Sequence, residues 1–269
     1  MEIKDFNNCT ENMLTYGGHA GAKLGIVIDG ENWFLKFPKS TRTLRKKVDM
    51  SYSTSPLSEY IGSHIYESID IPVHKTMLGI RDNKLVVACK DFRNDISKST
   101  FEDYNSIYNI YVSGLDEKLS SITSSSNHTV DLNEIMIIME NNPRFINTKG
   151  LKDRFWDMFI VDALIGNNDR NNGNWGVLIN NDTKKIEIAP VFDNGASFGN
   201  NTDDLKIEKI LSDKERFKNS AYLSRICAFS INDKIINPFK YIESLENDEC
   251  NKALLRIVPK IDLSKIYDI

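Results

Sequence analysis

No uninterrupted apolar stretch in this sequence approaches the roughly 20 residues that a membrane-spanning helix requires. Its first residues, MEIKDFNNCTEN, are polar and acidic and lack the apolar centre of a signal peptide. A membrane protein is therefore not expected. A cytoplasmic location is expected, with export by a signal-free route left open. Cysteine is scarce and scattered: Cys9, Cys89, Cys227 and Cys250 form no Cys-x-x-C pair and have no histidine at metal-ligand spacing. That argues against a structural zinc site and against a disulfide framework. A large excess of one charge is also missing. The formal net charge is −4 over 269 residues, and the basic cluster from Lys36 to Lys47 is short, so nucleic acid is not expected as a partner. Internal repeats, long linkers and low-complexity tracts are absent. The remainder, 41% hydrophobic, 10% aromatic and 27% charged, has the balance of a globular protein. The length suits one large domain or two lobes sharing a cleft.

Local patterns divide the chain near residue 90. Before it, Leu24 to Ile28 and Asn32 to Phe37 flank Asp29-Gly30, which predicts a β-hairpin ended by Pro38. The polar stretch from Lys39 to Ser55 has no clean periodicity. Leu57, Tyr60, Ile61, His64 and Ile65 then fall at helical spacing, with Ser55 as the expected N-cap and Pro56 in the first turn. Strands are predicted at Thr76 to Ile80 and Lys84 to Cys89, joined by Asp82-Asn83. After residue 90 helices are expected to dominate, at Asp131 to Asn141, Phe155 to Ile165 and Cys250 to Ile257, with a Ser/Asn loop from Ile122 to His128. Two strands, Trp175 to Ile179 and Ile186 to Phe192, are expected around Asn180-Asn181-Asp182. The plan is α+β, with a β-rich lobe over 1–90 and an α-rich lobe over 91–269.

Chemistry concentrates in FWDMFIVDALIGNNDRNNGNWGVLI, residues 155–179, where an apolar helix feeds a polar loop and the loop feeds a strand. Asp169 precedes Asn174 by five residues, and Asp193-Asn194-Gly195 follows the second strand of a hairpin. Transfer of a phosphoryl group from ATP needs a carboxylate to orient the attacking hydroxyl and oxygen ligands that hold Mg²⁺ against the phosphates. Asp169 suits the first role, and Asn174 with Asp193 suits the second. Each motif alone is what any turn contains; their order, with a helix before and a hairpin between, is what points to this chemistry.

Two further elements agree. Lys36 ends an apolar, aromatic strand, where an unpaired ammonium is costly to bury, and Glu59 on the following helix is a candidate partner. A Lys–Glu pair of this kind holds nucleotide phosphates in kinases. Upstream, Tyr16 to Lys23 reads Y-G-G-H-A-G-A-K. It is not a Walker loop, but Gly17, Gly18 and Ala20 are candidates to bring backbone amides against phosphates.

These residues carry a resemblance that runs over nearly the whole chain. Phe34-Leu35-Lys36-Phe37-Pro38, Ser58-Glu59-Tyr60, Val86 to Phe92, Phe155 to Phe159, Asn172 to Gly176 and Ala189-Pro190-Val191-Phe192-Asp193 are similar, in this order, to the HipA-like serine/threonine kinases of the compact, cell-translocating CtkA type. The resemblance implies a two-lobed protein-kinase-like fold with an ATP cleft between the lobes. It implies ATP as donor and a protein Ser or Thr hydroxyl as acceptor, with autophosphorylation among the expected activities. It implies Lys36 on the phosphates oriented by Glu59, Asp169 as catalytic aspartate, and Asn174 and Asp193 on the metal. It also places an interlobe hinge at Val87 to Lys90, holding adenine through backbone near Ala88 and Lys90. One departure stands out: Asn171 occupies the place of the family histidine, so activity is expected to survive with altered geometry or rate.

The residues themselves leave two other readings open, a small-molecule kinase of the same fold and a nucleotide-binding pseudokinase acting as an interaction module. The intact set of Lys36, Asp169, Asn174 and Asp193 speaks against the second. His19, His64, His74 and His128 do not cluster, and each is expected to be a surface or satisfied core residue. Trp156 and Trp175 are expected to anchor the core around the 167–174 loop. Asp162 is the better candidate than Asp157 to brace that loop, and the role of Arg170 is open between a phosphorylated residue and a carboxylate.

Overall fold

Two tight turns set the first sheet. In one, Asp29 and Gly30 have φ of 51° and 76°; in the other, Asp82 and Asn83 have 51° and 57°. Positive φ at both central positions makes each a type I′ turn, whose twist matches that of the strands it joins. Asp, Asn and Gly are the residues that tolerate it. The computed structural model describes residues 2–17, 22–44, 47–93, 97–113 and 130–269. The predicted Ile122 to His128 loop therefore lies outside the described residues.

The first sheet has six strands: β1 (Lys4–Asp5), β2 (Thr10–Glu11), β3 (Lys23–Ile28), β4 (Glu31–Lys36), β5 (Thr76–Arg81) and β6 (Lys84–Lys90). Their spatial order is β1-β5-β6-β4-β3-β2. Helix α1 (Ser55–Ser68) crosses between β4 and β5. It starts one residue earlier than expected: Thr54, not Ser55, is the N-cap, and no side-chain cap bond forms. The two apolar faces of α1 bury in different places. Leu57 and Tyr60 pack against Leu78, Val87 and Cys89 of the sheet. Ile65, Tyr66 and Ile69, further along, enter the main core.

After residue 90 come β7 (Ser99–Asp103), α2 (Tyr104–Ser113), β8 (Val130–Asp131), α3 (Leu132–Asn141), α4 (Pro143–Ile146) and α5 (Leu151–Ile165). They are followed by β9 (Gly176–Asn180), β10 (Ile186–Ile188), α6 (Asp204–Leu211) and α7 (Lys214–Lys218). The chain closes with β11 (Phe229–Ile231), β12 (Lys234–Ile235), α8 (Pro238–Ser244), α9 (Asp248–Ile257) and α10 (Leu263–Asp268). The main core forms around α5, whose Phe155, Trp156 and Phe159 are buried with Trp175 and Phe229. Trp175 stacks on Tyr104 at 4.4 Å between ring centroids. Trp156 and Trp175 are thus core anchors, as their aromaticity suggested.

The helix-dominated half contains more strand than expected. β7 pairs with β9 to make a β10-β9-β7 sheet, and β11, β12 and β8 form a third. The predicted strand from Ile186 to Phe192 is regular only to Ile188; beyond it Val191 makes a single parallel bridge to Val73. The fold is α+β. Among the described residues no helix is long and apolar enough to cross a membrane.

Candidate active site

Lys36 is the last residue of β4, and alternation puts it on the same face as Phe34, toward α1. One helical turn into α1, Glu59 meets it: Lys36 Nζ donates to Glu59 Oε2 at 2.7 Å and also to Asp193 Oδ1 at 2.7 Å. Burial works against the Lys36 ammonium, but Asp193 and Glu59 outweigh it and hold its pKa well above the ordinary lysine value. Glu59 is 1% exposed. Burial raises its pKa, yet Lys36 and a hydrogen bond from His74 overcome that and keep it well below the ordinary value.

The segment after Asp193 runs back along α1. Asn194 N–H donates to Glu59 Oε1 at 3.0 Å and Asn194 Nδ2 to Ser63 Oγ at 3.1 Å. Ser58 Oγ donates to Ser197 O at 3.0 Å, and Thr54 N–H to Asn200 O at 2.9 Å. So close an approach is possible because α1 carries Gly62 there: a Cβ at that position would stand 2.9 Å from Asn194 Cβ. Asp193 itself adopts φ of 60°, in the left-handed region that Asp visits more readily than most residues.

Asp169 lies on the loop after α5, which ends at Gly166 in a left-handed cap with φ of 67°. Arg170 organises this loop. It is 1% exposed, and its guanidinium donates to Asp162 Oδ2 and Oδ1, Asn174 O, Phe192 O and Asn194 Oδ1. All five N–H donors of the fork are thereby placed. Tyr66 Oη on α1 donates to the same Asp162 carboxylate at 2.8 Å. Arg170 therefore answers a buried carboxylate, and Asp162 braces the loop while Asp157 pairs with Arg256 at the surface. Asn171 donates to Asp169 Oδ1 at 3.0 Å and accepts from Gly173 N–H at 2.9 Å.

Lys36, Glu59, Asp169 and Asp193 line one open cleft of about 300 Å³, together with Lys39, Ser55 and Asn200. Asn174 stands beside it. Its Nδ2 donates to Asp169 O at 2.6 Å, and Arg170 ties its carbonyl to that of Phe192. No hydrogen bond among the described residues uses Asn174 Oδ1 or the second oxygen of Asp193. A charged oxygen of Asp193 beside Lys36 and a neutral one of Asn174 on the adjoining loop thus make no hydrogen bond among the described residues, and oxygen donors of these two kinds suit a hard divalent cation such as Mg²⁺.

Other expected positions fare differently. Gly18 and Ala20, like His19, lie outside the described residues, as does His128. Gly17 is placed, with its carbonyl accepting from Lys23 Nζ. Ala88 is corrected: it sits inside β6, paired with Leu35 on one side and Met77 on the other, and is fully buried. A central strand spends its backbone groups on its neighbours, so Ala88 is not placed to meet an adenine. Lys90 is the last residue of that strand. Its N–H goes to Lys75 O and its ammonium to Glu31, so the 87–90 stretch is strand and the chain leaves the sheet only at 91–93.

Two residues escaped the sequence reading. Lys23 pairs in register with Lys36, placing a second ammonium on the same face; burial and then Lys36 lower its pKa. His74 is buried and bonded to Glu59 at 2.9 Å. The Tyr16–Lys23 motif carried a signal for Lys23, at the mouth of a strand opposite Lys36. His74 had none, since its partner is fifteen residues away on another element.

No family model matches the chain. It is 36% identical over 271 residues to the serine/threonine-protein kinase CtkA of Helicobacter pylori strain J99, covering 100% of this chain and 79% of that protein. The crystal structure of a Helicobacter pylori proinflammatory kinase CtkA superposes with a TM-score of 0.86 at 34% identity, over 99% of this chain and 86% of the other. A HipA from Shewanella oneidensis MR-1, solved with HipB and operator DNA, matches with a TM-score of 0.54 at 14% identity over 98% of this chain and 59% of its own, a likeness of fold alone.

Proposed function

The chain belongs to the HipA-like serine/threonine kinases of the CtkA type, and from that premise we propose that the cleft between the first sheet and the α5 core transfers phosphate from Mg²⁺-bound ATP to a protein Ser or Thr hydroxyl. The observation that carries the reading is Lys36, held at 2.7 Å from both Glu59 and Asp193 in a cleft that Asp169 also lines. A β-rich lobe over 1–90 and an α-rich lobe over 91–269 form its two walls, connected through 91–93.

In this reading Lys36 leaves Asp193 for the nucleotide phosphates while Glu59 keeps it oriented, and Lys23 adds a second positive charge beside them. Asn174 and Asp193 would hold Mg²⁺, which would supply neutralisation of the phosphate charge. Asn171 fixes one oxygen of Asp169, leaving the other to orient the acceptor hydroxyl and take its proton. A protein acceptor is supported by the 36% identical relative rather than by the cleft, whose nucleotide-handling groups would serve a small-molecule kinase equally well.

Incubation with labelled ATP, Mg²⁺ and a generic protein substrate tests the proposal. Asp169→Ala should abolish transfer while leaving ATP affinity nearly intact, because the base is not a phosphate ligand. Asp193→Asn should instead weaken Mg²⁺–ATP binding. Wild-type turnover by Asp169→Ala would falsify the assignment of the base.

A further inference from the structure

Glu59 must keep Lys36 in place at the moment the nucleotide draws that lysine away from Asp193. Only one of its oxygens, Oε2, faces Lys36. The other, Oε1, accepts from Asn194 N–H at 3.0 Å and from His74 Nε2 at 2.9 Å. His74 is 2% exposed, on the short connection between α1 and β5. Its backbone is fixed as well: His74 N–H donates to Val191 O at 2.9 Å, and Val191 N–H donates to Pro72 O at 2.9 Å. One residue therefore grips the carboxylate that orients Lys36 and, through its main-chain N–H, the segment that delivers Asp193 two residues later.

We propose that His74 is a positioning residue for the phosphate-binding lysine, acting through Glu59; this deepens the function proposed above and rests on it. Without His74, Oε1 would keep a single donor, Asn194 N–H, against rotation of the carboxylate toward the departing ammonium. A neutral donor on the second oxygen stops that rotation without competing for phosphate. The imidazole meets this need as the Nε2–H tautomer. Its Nδ1 is buried with no partner, so the ring is held for the one bond it makes to Glu59. Cys89 Sγ lies within 4.8 Å of the same two groups. The Glu59 oxygens, however, already accept from Lys36, His74 and Asn194, so the trio is a hydrogen-bonded anchor rather than a metal centre.

The test is steady-state kinetics and nucleotide titration on the full chain. Removing a donor to a buried carboxylate in His74→Leu should raise KM for ATP on the order of tenfold, with a smaller fall in kcat. His74→Gln places an amide Nε2 near the imidazole position and should restore KM to within about threefold. In a Lys36→Met background, His74→Leu should leave the already weakened affinity for a fluorescent ATP analogue unchanged, because the effect runs through that lysine. If the leucine variant does not fold, His74→Gln against His74→Asn carries the comparison, since the shorter amide falls short of Glu59. Equal losses of thermal stability in the leucine and glutamine variants with unaltered KM would overturn the inference, as would wild-type kinetics in His74→Asn. If Lys36→Met itself kept normal ATP affinity and turnover, the reading of the whole cleft would fail instead.

Discussion

Arg170 shows how much geometry one side chain can hold. Its fork reaches α5 through Asp162, the 167–174 loop through Asn174 O, and both neighbours of Asp193 through Phe192 O and Asn194 Oδ1. Burial disfavours its charge, and Asp162 more than restores it, so its pKa is raised. A buried pair of this kind is weak evidence for stability but strong evidence for fixed geometry. Lysine keeps the charge but offers three donors on a point ammonium instead of five in a plane. Arg170→Lys should therefore leave at least two buried acceptors unpaired, at a cost of about 2–4 kcal/mol. The proposed metal ligands on either side lose their common brace, so the Mg²⁺ concentration for half-maximal activity should rise severalfold. A titration of activity against Mg²⁺, beside a denaturant melt, measures both. An unchanged Mg²⁺ requirement would mean that Arg170 stabilises without positioning.

Helix α1 is the element on which the site is built, because it faces the sheet, the core and the Asp193 loop at once. Gly62 is the point of closest approach. Alanine there gains about 1 kcal/mol of helix propensity, but its Cβ would press on Asn194 Cβ, which belongs to the backbone end of that side chain and cannot swing aside. Overpacking at about 1–3 kcal/mol should win. Gly62→Ala is expected to melt lower and to bind Mg²⁺–ATP more weakly; a higher melting temperature with normal binding would show that the loop can yield. The same scale shows which parts of the fold the sequence disclosed. Both Asp/Asn/Gly turns and the periodic face of α1 were legible because each signal is local. β7 was not: Ser-Thr-Phe-Glu-Asp has one apolar residue, and its partner β9 lies far along the chain. The end of β6 was legible to within one residue, Cys89 against the observed Lys90, and it is the hinge implied by the resemblance, at Val87 to Lys90, that falls inside the strand. Lys36 and Glu59 were readable as a pair because a buried lysine demands a partner. His74 was not, because a histidine makes no such demand until the fold supplies the carboxylate.

Across the whole molecule, the Lys36–Glu59 pair joins the first sheet to the helix and, through Asn194, to the Asp193 loop, so its protonation should be felt as global stability. The folded pKa of Glu59 is depressed below its ordinary 4.5. Its contribution is therefore fully present above that value and is lost as pH falls toward the folded pKa. In that window the unfolded chain takes up a proton that the native state refuses, which removes about 1.4 kcal/mol per pH unit. Lys36 runs the other way: its folded pKa is raised above 10.5, so its contribution is intact at every lower pH and begins to fade only above that value. Between 4.5 and 10.5 neither group changes, and the pair adds no slope to stability at neutral pH. Calorimetric melts of the wild type and Glu59→Gln from pH 7 to pH 3 should differ by a constant amount down to about pH 4.5 and then converge, because the unfolded wild type is stabilised by a proton that the glutamine variant cannot bind. Curves that stay parallel to pH 3 would place the folded pKa of Glu59 near its ordinary value and remove the strong Lys36–Glu59 coupling on which the cleft depends.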